Sequence, residues 1–416
     1  MSKRTEKSDV LVVGGGPGGC AAAGRLAREG HDVLLLEKKR YPREKVCGDG
    51  LTPRSVKALL DIGMESKLDG YHRVRGLRAC GFGHSLELEW PEHSIYPSYG
   101  MTVPRRILDL DIANYARDLG AEIREATEAV SPLYEDGLLK GAVAKDADGE
   151  IEVRARFVVV ADGSLSRFGR ALGARRDRSY PMGLAARAYF RSPRDTDEWM
   201  ESHLDLYHGE DSLPAYGWVF PMADGTVNVG AGLLSTYRDW KDVNTSKLME
   251  AFVAQAGPSW DFEAEDSLGP ERGGKLPMGI SVRPRAGSNW VLIGDAAGAI
   301  SPFNGEGIAY AMETAEVAAE LMSRALRTGN GLEIARYSER VYSMYGGYYK
   351  AGRIFAALIG NPRIMGFLGS VGMRSKPFMQ WVLMVLAHLG DPADKRVTSR
   401  AYYVIERLGT LLPGKR

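Results

Sequence analysis

The chain opens on a polar stretch, Met1 to Ser8, and then turns apolar at Val10-Leu11-Val12-Val13. An unbroken apolar run of that length predicts a strand buried on both faces, as in a parallel sheet. Five glycines and a proline follow, Gly14-Gly15-Gly16-Pro17-Gly18-Gly19, and then a small-residue helix from Cys20. A second strand, His31 to Leu36, ends at Glu37. The strand-then-turn pattern recurs twice. Phe157-Val158-Val159-Val160 breaks at Ala161-Asp162-Gly163, and a Ser-x-x-Arg step from Ser164 to Arg167 opens a helix. Trp290-Val291-Leu292-Ile293 breaks at Gly294-Asp295-Ala296-Ala297-Gly298, and a helix is expected from about Gly307 to Leu326. Thr102 to Asp109 leads into a further helix ending near Leu119. Pro214 to Met222 and Val227 to Gly232 predict two strands joined by a turn at Ala223-Asp224-Gly225. From about Glu333 the pattern is helical, and it is most apolar from Pro377 to Leu389.

The first element carries G-x-G-x-x-G at Gly14, Gly16 and Gly19. Gly14 permits a sharp turn, Gly16 lets the backbone approach a pyrophosphate, and Gly19 lets helix and strand pack closely. The N–H groups of the helix start, with Pro17 and Gly18 in it, and the positive end of the helix dipole suit phosphate. Glu37, followed by Lys38, stands where an acid accepts hydrogen bonds from ribose hydroxyls, which favours FAD or NAD over NADP. The second and third elements each place a carboxylate, Asp162 beside Gly163 and Asp295, at the C-terminal end of a strand, where open α/β sheets bind ligands. Helix capping is the other role for both acids. Three such tips over 280 residues suit one long ligand, FAD, with adenine, pyrophosphate, ribityl chain and flavin.

Composition narrows the class. A length of 416 residues predicts two joined domains. Lys and Arg total 54 against 53 Asp and Glu, a formal charge of +1 that gives no support to nucleic-acid binding. Three cysteines, Cys20, Cys47 and Cys80, with no CxxC, argue against a disulfide scaffold and a zinc site. The polar N-terminus has no signal-peptide core, so a cytosolic address is expected.

The three elements in order resemble the FAD-dependent monooxygenase and reductase superfamily of p-hydroxybenzoate hydroxylase type. That resemblance implies cofactor roles for Asp162, Gly163 and Asp295. It also implies an arginine contact before the helix at 102–109, where Arg106 has the spacing and a surface role is the alternative. Three further segments narrow the branch: Tyr41 to Arg54, containing Cys47-Gly48-Asp49-Gly50-Leu51-Thr52-Pro53-Arg54; Tyr216-Gly217-Trp218-Val219-Phe220-Pro221; and Ser301-Pro302-Phe303-Asn304-Gly305-Glu306-Gly307-Ile308. Together they resemble the geranylgeranyl reductase family from about Ser8 to beyond residue 320, and most of all its branch that reduces one isoprene unit of the menaquinone tail. The implied fold is α/β. A Rossmann-like FAD domain of glutathione reductase type takes residues 8–80, 101–175 and 286–330. Substrate-domain strands take 81–100, an inserted antiparallel substrate sheet takes 176–285, and a helical C-terminal region takes 331–416.

The chemistry agrees with the resemblance. Saturating an isolated alkene needs a hydride from flavin N5 and a proton on the other carbon. The developing tertiary cation demands an apolar, dry site. Tyr216, Trp218 and Phe220 alternate on one strand face and suit the wall of that site, with core packing as the competing reading. Cys47 is read as a proton donor or flavin contact, against the ordinary buried cysteine. Gly48 shares its loop. Gly305 and Gly307, with Ile308 next in the chain, are expected to bring N–H groups to the flavin's pyrimidine end. Glu306 is either part of that loop's chemistry or a helix-start acid.

The expected partners are an isoprenoid lipid or quinone, and an electron donor left open between NAD(P)H, ferredoxin and another carrier. The 381–389 run is too short to span a bilayer. With Arg353, Arg363, Arg374 and Lys376 around it, the C-terminal region is read either as packing on the substrate domain or as an interfacial patch. The second reading places the protein on the inner face of the cell membrane. The rival function is a flavin monooxygenase or halogenase. Halogenases carry Trp-x-Trp-x-Ile-Pro, whereas residues 217–221 hold a single Trp.

Overall fold

The computed structural model describes residues 4–208, 211–213, 215–391, 393–394, 402–404 and 407. Pro214, expected to open a strand, lies outside the described residues, as do parts of the expected C-terminal region. The apolar run at Val10 becomes the end of a strand Arg4–Val13, whose last four residues are buried. It pairs in parallel with Val33–Leu36 on one side and with Gly149–Val160 on the other. Gly149–Val160 is a shared element. Its first half pairs antiparallel with Leu138–Asp146, and its last three residues pair in parallel with Trp290–Leu292. The two carboxylate-bearing turns and the glycine turn therefore emerge at the same end of one sheet.

The helices Pro17–Arg28, Arg105–Asp118 and Ile308–Thr328 cover this sheet and bury Ala22, Leu26, Ile112, Ala113, Ala315 and Ala318 in its main core. Alanines and glycines at these contacts allow close approach. A Cβ at Gly24 would sit 3.2 Å from the Ala116 backbone.

A second seven-stranded sheet runs in the order 272–277, 182–191, 226–234, 215–221, 199–203, 76–81, 84–89. The strand Gly76–Gly81 belongs to it through parallel pairing with Trp199–His203. The boundary expected at residue 80 therefore falls inside a strand of the substrate sheet rather than at its start. That pairing joins segments more than 120 residues apart, which local pattern does not record. The turn at 223–225 joins Ala215–Pro221 to Thr226–Leu234, in the register Tyr216↔Gly232, Trp218↔Gly230 and Phe220↔Asn228. The helix Thr245–Trp260 packs on the back of this sheet. The chain closes, among the described residues, on the helices Tyr337–Ile359, Pro362–Gly372 and Lys376–Leu386. No single described helix is long and apolar enough to cross a membrane.

Candidate active site

The glycine turn has the geometry its sequence implies. Gly14 has φ +103°, and a Cβ at Gly19 would lie 1.9 Å from the Gly14 carbonyl oxygen. A Cβ at Gly16 would meet nothing within 4 Å, which leaves open space above the turn. The helix starting at Pro17 has neither a side-chain cap nor an acid in its first turn, so its N–H groups are free for an anion. Gly18 packs against Ala311. Glu37 is buried; its Oε2 accepts from Gly15 N–H at 2.9 Å and its Oε1 from Lys39 N–H at 2.9 Å. Arg43 lies 3.5 Å from Glu37 and donates to the Gly15 carbonyl at 2.8 Å. Lys38 is exposed and favours the charged form of nearby Asp162.

The other two tips converge on the same turn. Ala161 N–H donates to Val13 O at 2.8 Å. Asp162 Oδ2 accepts from Phe168 N–H at 2.9 Å, so this acid caps the short helix Arg167–Ala171 as well as facing the turn. Burial pushes its carboxyl above the ordinary range. Gly163 has φ +80°; a Cβ there would lie 3.8 Å from Lys45 Nζ, which is also 3.8 Å from Asp295 Oδ2. A Cβ at Gly307 would lie 3.2 Å from Asp295 Oδ1, and Gly307 starts the uncapped helix of Ile308. A dinucleotide with a polyol arm fits these residues: open space over Gly16, uncapped helix starts at Pro17 and Ile308, and hydroxyl acceptors at Glu37 and Asp295.

Facing these elements, the loop 47–50 meets the substrate sheet. A Cβ at Gly48 would lie 3.2 Å from Trp218 Nε1, and one at Gly305 3.2 Å from the Tyr216 hydroxyl. The rings of Tyr216, Trp218 and Phe220 form a continuous wall with centroids 5.7 and 6.4 Å apart. Gly230 makes room for it, since a Cβ there would collide with the Trp218 ring at 2.1 Å. Tyr216 is pushed up to about 12 by burial, with the Cys47 thiol adding to it. Burial raises Cys47 too, while the Arg105 guanidinium and the Asp49 N–H beside it favour the thiolate. Cys47 thus lies beside Tyr216, and the next residue, Gly48, lies against Trp218.

Two parts of the site are not those read from sequence. Arg106, chosen by spacing, points outward, with half of its side chain exposed, and pairs with Asp224 at 3.4 Å. Arg105 is the buried arginine. It is clamped to Asp109 at 2.7 and 3.0 Å and lies against Cys47. Helical phase decides this, because residue 105 continues the buried stripe of Leu108, Asp109, Ile112, Ala113 and Ala116, whereas 106 lies off it.

The second addition is Asp49, which has φ +64° and is 1% exposed. Its Oδ2 accepts from Asn228 Nδ2 at 2.8 Å and from the Tyr189 hydroxyl. Its Oδ1 is buried without a partner. Burial pushes this carboxyl up to about 6, against the opposing pull of Tyr189, Arg187, Asn228 and Arg105. Asn228 also donates to Cys47 O at 3.0 Å and accepts from Trp218 Nε1 at 2.9 Å. One amide therefore ties loop, acid and aromatic wall together. Glu306 is more than a helix-start acid. Its Oε1 accepts from Thr52 and Ser55 at 2.6 and 2.7 Å, which fastens the 301–308 loop to the 47–54 segment. Cys20 is buried in the core, 3.6 Å from the Tyr41 hydroxyl, as a packing residue.

With this geometry in place, comparison with known proteins is direct. A family model described as FAD binding domain matches residues 7–344. Menaquinone reductase of Mycobacterium tuberculosis is 39% identical over 399 residues, 95% of each chain. The chain belongs to the geranylgeranyl reductase family of FAD-dependent oxidoreductases. A digeranylgeranylglycerophospholipid reductase of Methanosarcina acetivorans is 30% identical over 326 residues, 77% of this chain and 76% of that one. The crystal structure of a geranylgeranyl bacteriochlorophyll reductase-like protein from Thermoplasma acidophilum superposes with a TM-score of 0.78. At 21% identity it covers 96% of this chain and 100% of its own, and it shows the shared fold. Within the geranylgeranyl reductase family, the cofactor is FAD and the reaction class is oxidoreduction.

Proposed function

We propose that the protein saturates one carbon–carbon double bond in the isoprenoid tail of a menaquinone. The observation that carries this reading is the single Asn228 amide that joins the aromatic wall 216–220 to the Cys47–Asp49 loop. Such an arrangement sets a titratable acid beside an apolar surface, as alkene reduction requires. The named activities of the two curated relatives support the choice of substrate class.

Bound FAD would supply the hydride. The protein's own residues do the rest. The glycine turn and the start of the Pro17 helix would hold the pyrophosphate, Glu37 the ribose and Asp295 the ribityl arm. Tyr216, Trp218 and Phe220 pack along the prenyl chain and exclude water, so the developing tertiary cation is not trapped as an alcohol. Asp49 holds a proton at Oδ1, the oxygen with no other partner. When that proton passes to the less substituted carbon of the double bond, Tyr189 and Asn228 remain bonded to Oδ2, and Arg187 and Arg105 stabilise the carboxylate. A raised acid near the working pH suits this role.

The test is a substrate panel without oxygen. The flavin is photoreduced anaerobically and mixed with menaquinone or with an aromatic acid. Reoxidation by menaquinone that leaves two added hydrogens on its tail supports the reading, whereas reoxidation that only converts the quinone ring to the quinol contradicts it. Reoxidation that waits for oxygen whatever the partner contradicts it and favours a monooxygenase.

A further inference from the structure

The helix Pro362–Gly372 is an unusual surface element. Of its eleven residues only Gly372 is buried. Phe367 is 68% exposed, Val371 55% and Leu368 44%. Positions 364, 367, 368 and 371 share one face of a helix, so Ile364 joins these three in an apolar stripe. The opposite face is made of small residues. A Cβ at Gly369 would lie 2.0 Å from the Phe82 ring, and one at Gly372 3.2 Å from Phe378. The glycines let the helix lie close on the body of the protein while the large side chains face away. Phe378, at the start of the next helix, adds a further exposed ring beside Gly372. The axis turns by 104° from the preceding helical segment 331–359. At about 1.5 Å per residue the helix is some 16 Å long, half of what a hydrocarbon core requires.

Charge surrounds the stripe with one sign. From residue 340 to residue 390 the chain has no Asp or Glu, but it has Arg340, Lys350, Arg353, Arg363, Arg374 and Lys376. Arg340 pairs with Glu320, Lys350 is buried, and Arg353 lies over Tyr180. Arg363, Arg374 and Lys376 are exposed and have no carboxylate partner among the described residues. They bracket the apolar helix at its two ends.

We propose that the helix Pro362–Gly372, with Phe378 beside it, docks in the plane of an anionic bilayer surface. Phe367, Leu368 and Val371 enter the acyl boundary, and Arg363, Arg374 and Lys376 meet the headgroup phosphates. The proposal does not depend on which isoprenoid is reduced, because vesicle binding is read without turnover.

The experiment is cosedimentation of the FAD-loaded full chain with vesicles. One set is pure phosphatidylcholine and the other contains phosphatidylglycerol. The wild type is expected to bind the anionic vesicles and to be released by high salt. A Phe367→Ser, Leu368→Ser, Val371→Ser triple variant is expected to bind at least about 10-fold more weakly while keeping its flavin absorbance. An Arg363→Gln, Arg374→Gln, Lys376→Gln triple variant leaves the apolar stripe intact and is expected to lose the preference for anionic lipid. Failure of the wild type to bind either vesicle overturns the proposal. So does a wild-type dimer that the serine variant converts to monomer, which would assign the stripe to a second copy of the chain.

Discussion

The front and back faces of the substrate sheet bury polar groups in opposite ways. On the back, Glu201 is 3% exposed, yet both of its oxygens are used: Oε1 accepts from Trp260 at 2.7 Å and bonds to His203 at 2.8 Å, and Oε2 accepts from Arg78 at 3.3 Å. Its carboxyl is held below the usual range by His203, Trp260 and Arg78 despite the cost of burial. Cys80 completes a Cys–Glu–His group within 4.8 Å, but its carboxylate is already saturated and acts as a structural pin under Val219, Val229 and Phe252. On the front, Asp49 keeps one oxygen without a partner, and its carboxyl is raised rather than lowered. The two faces of one sheet therefore meet one acid satisfied for stability and one, on the loop packed against it, left incomplete. A buried polar atom left incomplete costs stability, and this one sits on the face that carries the aromatic wall and the Cys47 loop.

The contrast breaks most visibly at Glu201. Glu201→Ala leaves Arg78 and His203 without their carboxylate and is expected to cost about 4 kcal/mol in denaturant unfolding. The flavin spectrum of the protein that remains folded should not change. An unfolding midpoint equal to wild type would show that the back-face network is not a pin.

Asp49 should behave in the reverse manner. Asp49→Asn is expected to keep FAD and to be no less stable than wild type at neutral pH, but to lose about 100-fold or more in turnover. Its effect on stability has a definite sign. The native carboxyl titrates near 6, above its ordinary value, so the folded state binds the extra proton between about pH 4 and 6. Stability is lost as pH rises through that window, by roughly 3 kcal/mol in all. In Asp49→Asn that slope should vanish. Unfolding curves at pH 4.5 and 7.5 would check it, and an unchanged slope would remove Asp49 as the titrating group.

Asn228→Leu cuts the tie between loop and wall while keeping the branched shape of the side chain. It is expected to lower turnover about 10-fold, with FAD still bound. Unaltered kinetics would mean that the wall and the loop act separately. The smallest effect is expected at Arg106, where Arg106→Ala should change turnover and FAD affinity less than about twofold, since it removes only an exposed pair. Arg105→Ala removes the buried partner of Asp109 and Cys47, and FAD retention should fall clearly.

These two arginines show how much of the site was legible in sequence. The glycine turn, Glu37, Asp162-Gly163 and Asp295 were readable because each is a contiguous strand-to-turn signal. Cys47, Tyr216 and Trp218 were readable from the strings that hold them. Arg105 was missed by one position, although the apolar stripe Leu108, Ile112 and Ala116 carries back to residue 105 and not to 106. Asp49 stood inside a quoted string, but its partners Tyr189 and Asn228 lie 140 and 179 residues away. Nothing local reports contacts of that range. The strand at 76–81 was lost to the FAD part for the same reason, as its pairing with 199–203 is long-range.

The most direct test of the central claim is the mass of the product. The photoreduced holoenzyme is incubated anaerobically with menaquinone, and the extracted lipid is weighed by mass spectrometry. A reductase of the isoprenoid tail predicts a product heavier by two hydrogens, with the added hydrogens in the tail. A quinone recovered unchanged, or one carrying an added oxygen or halogen once air is admitted, would contradict it.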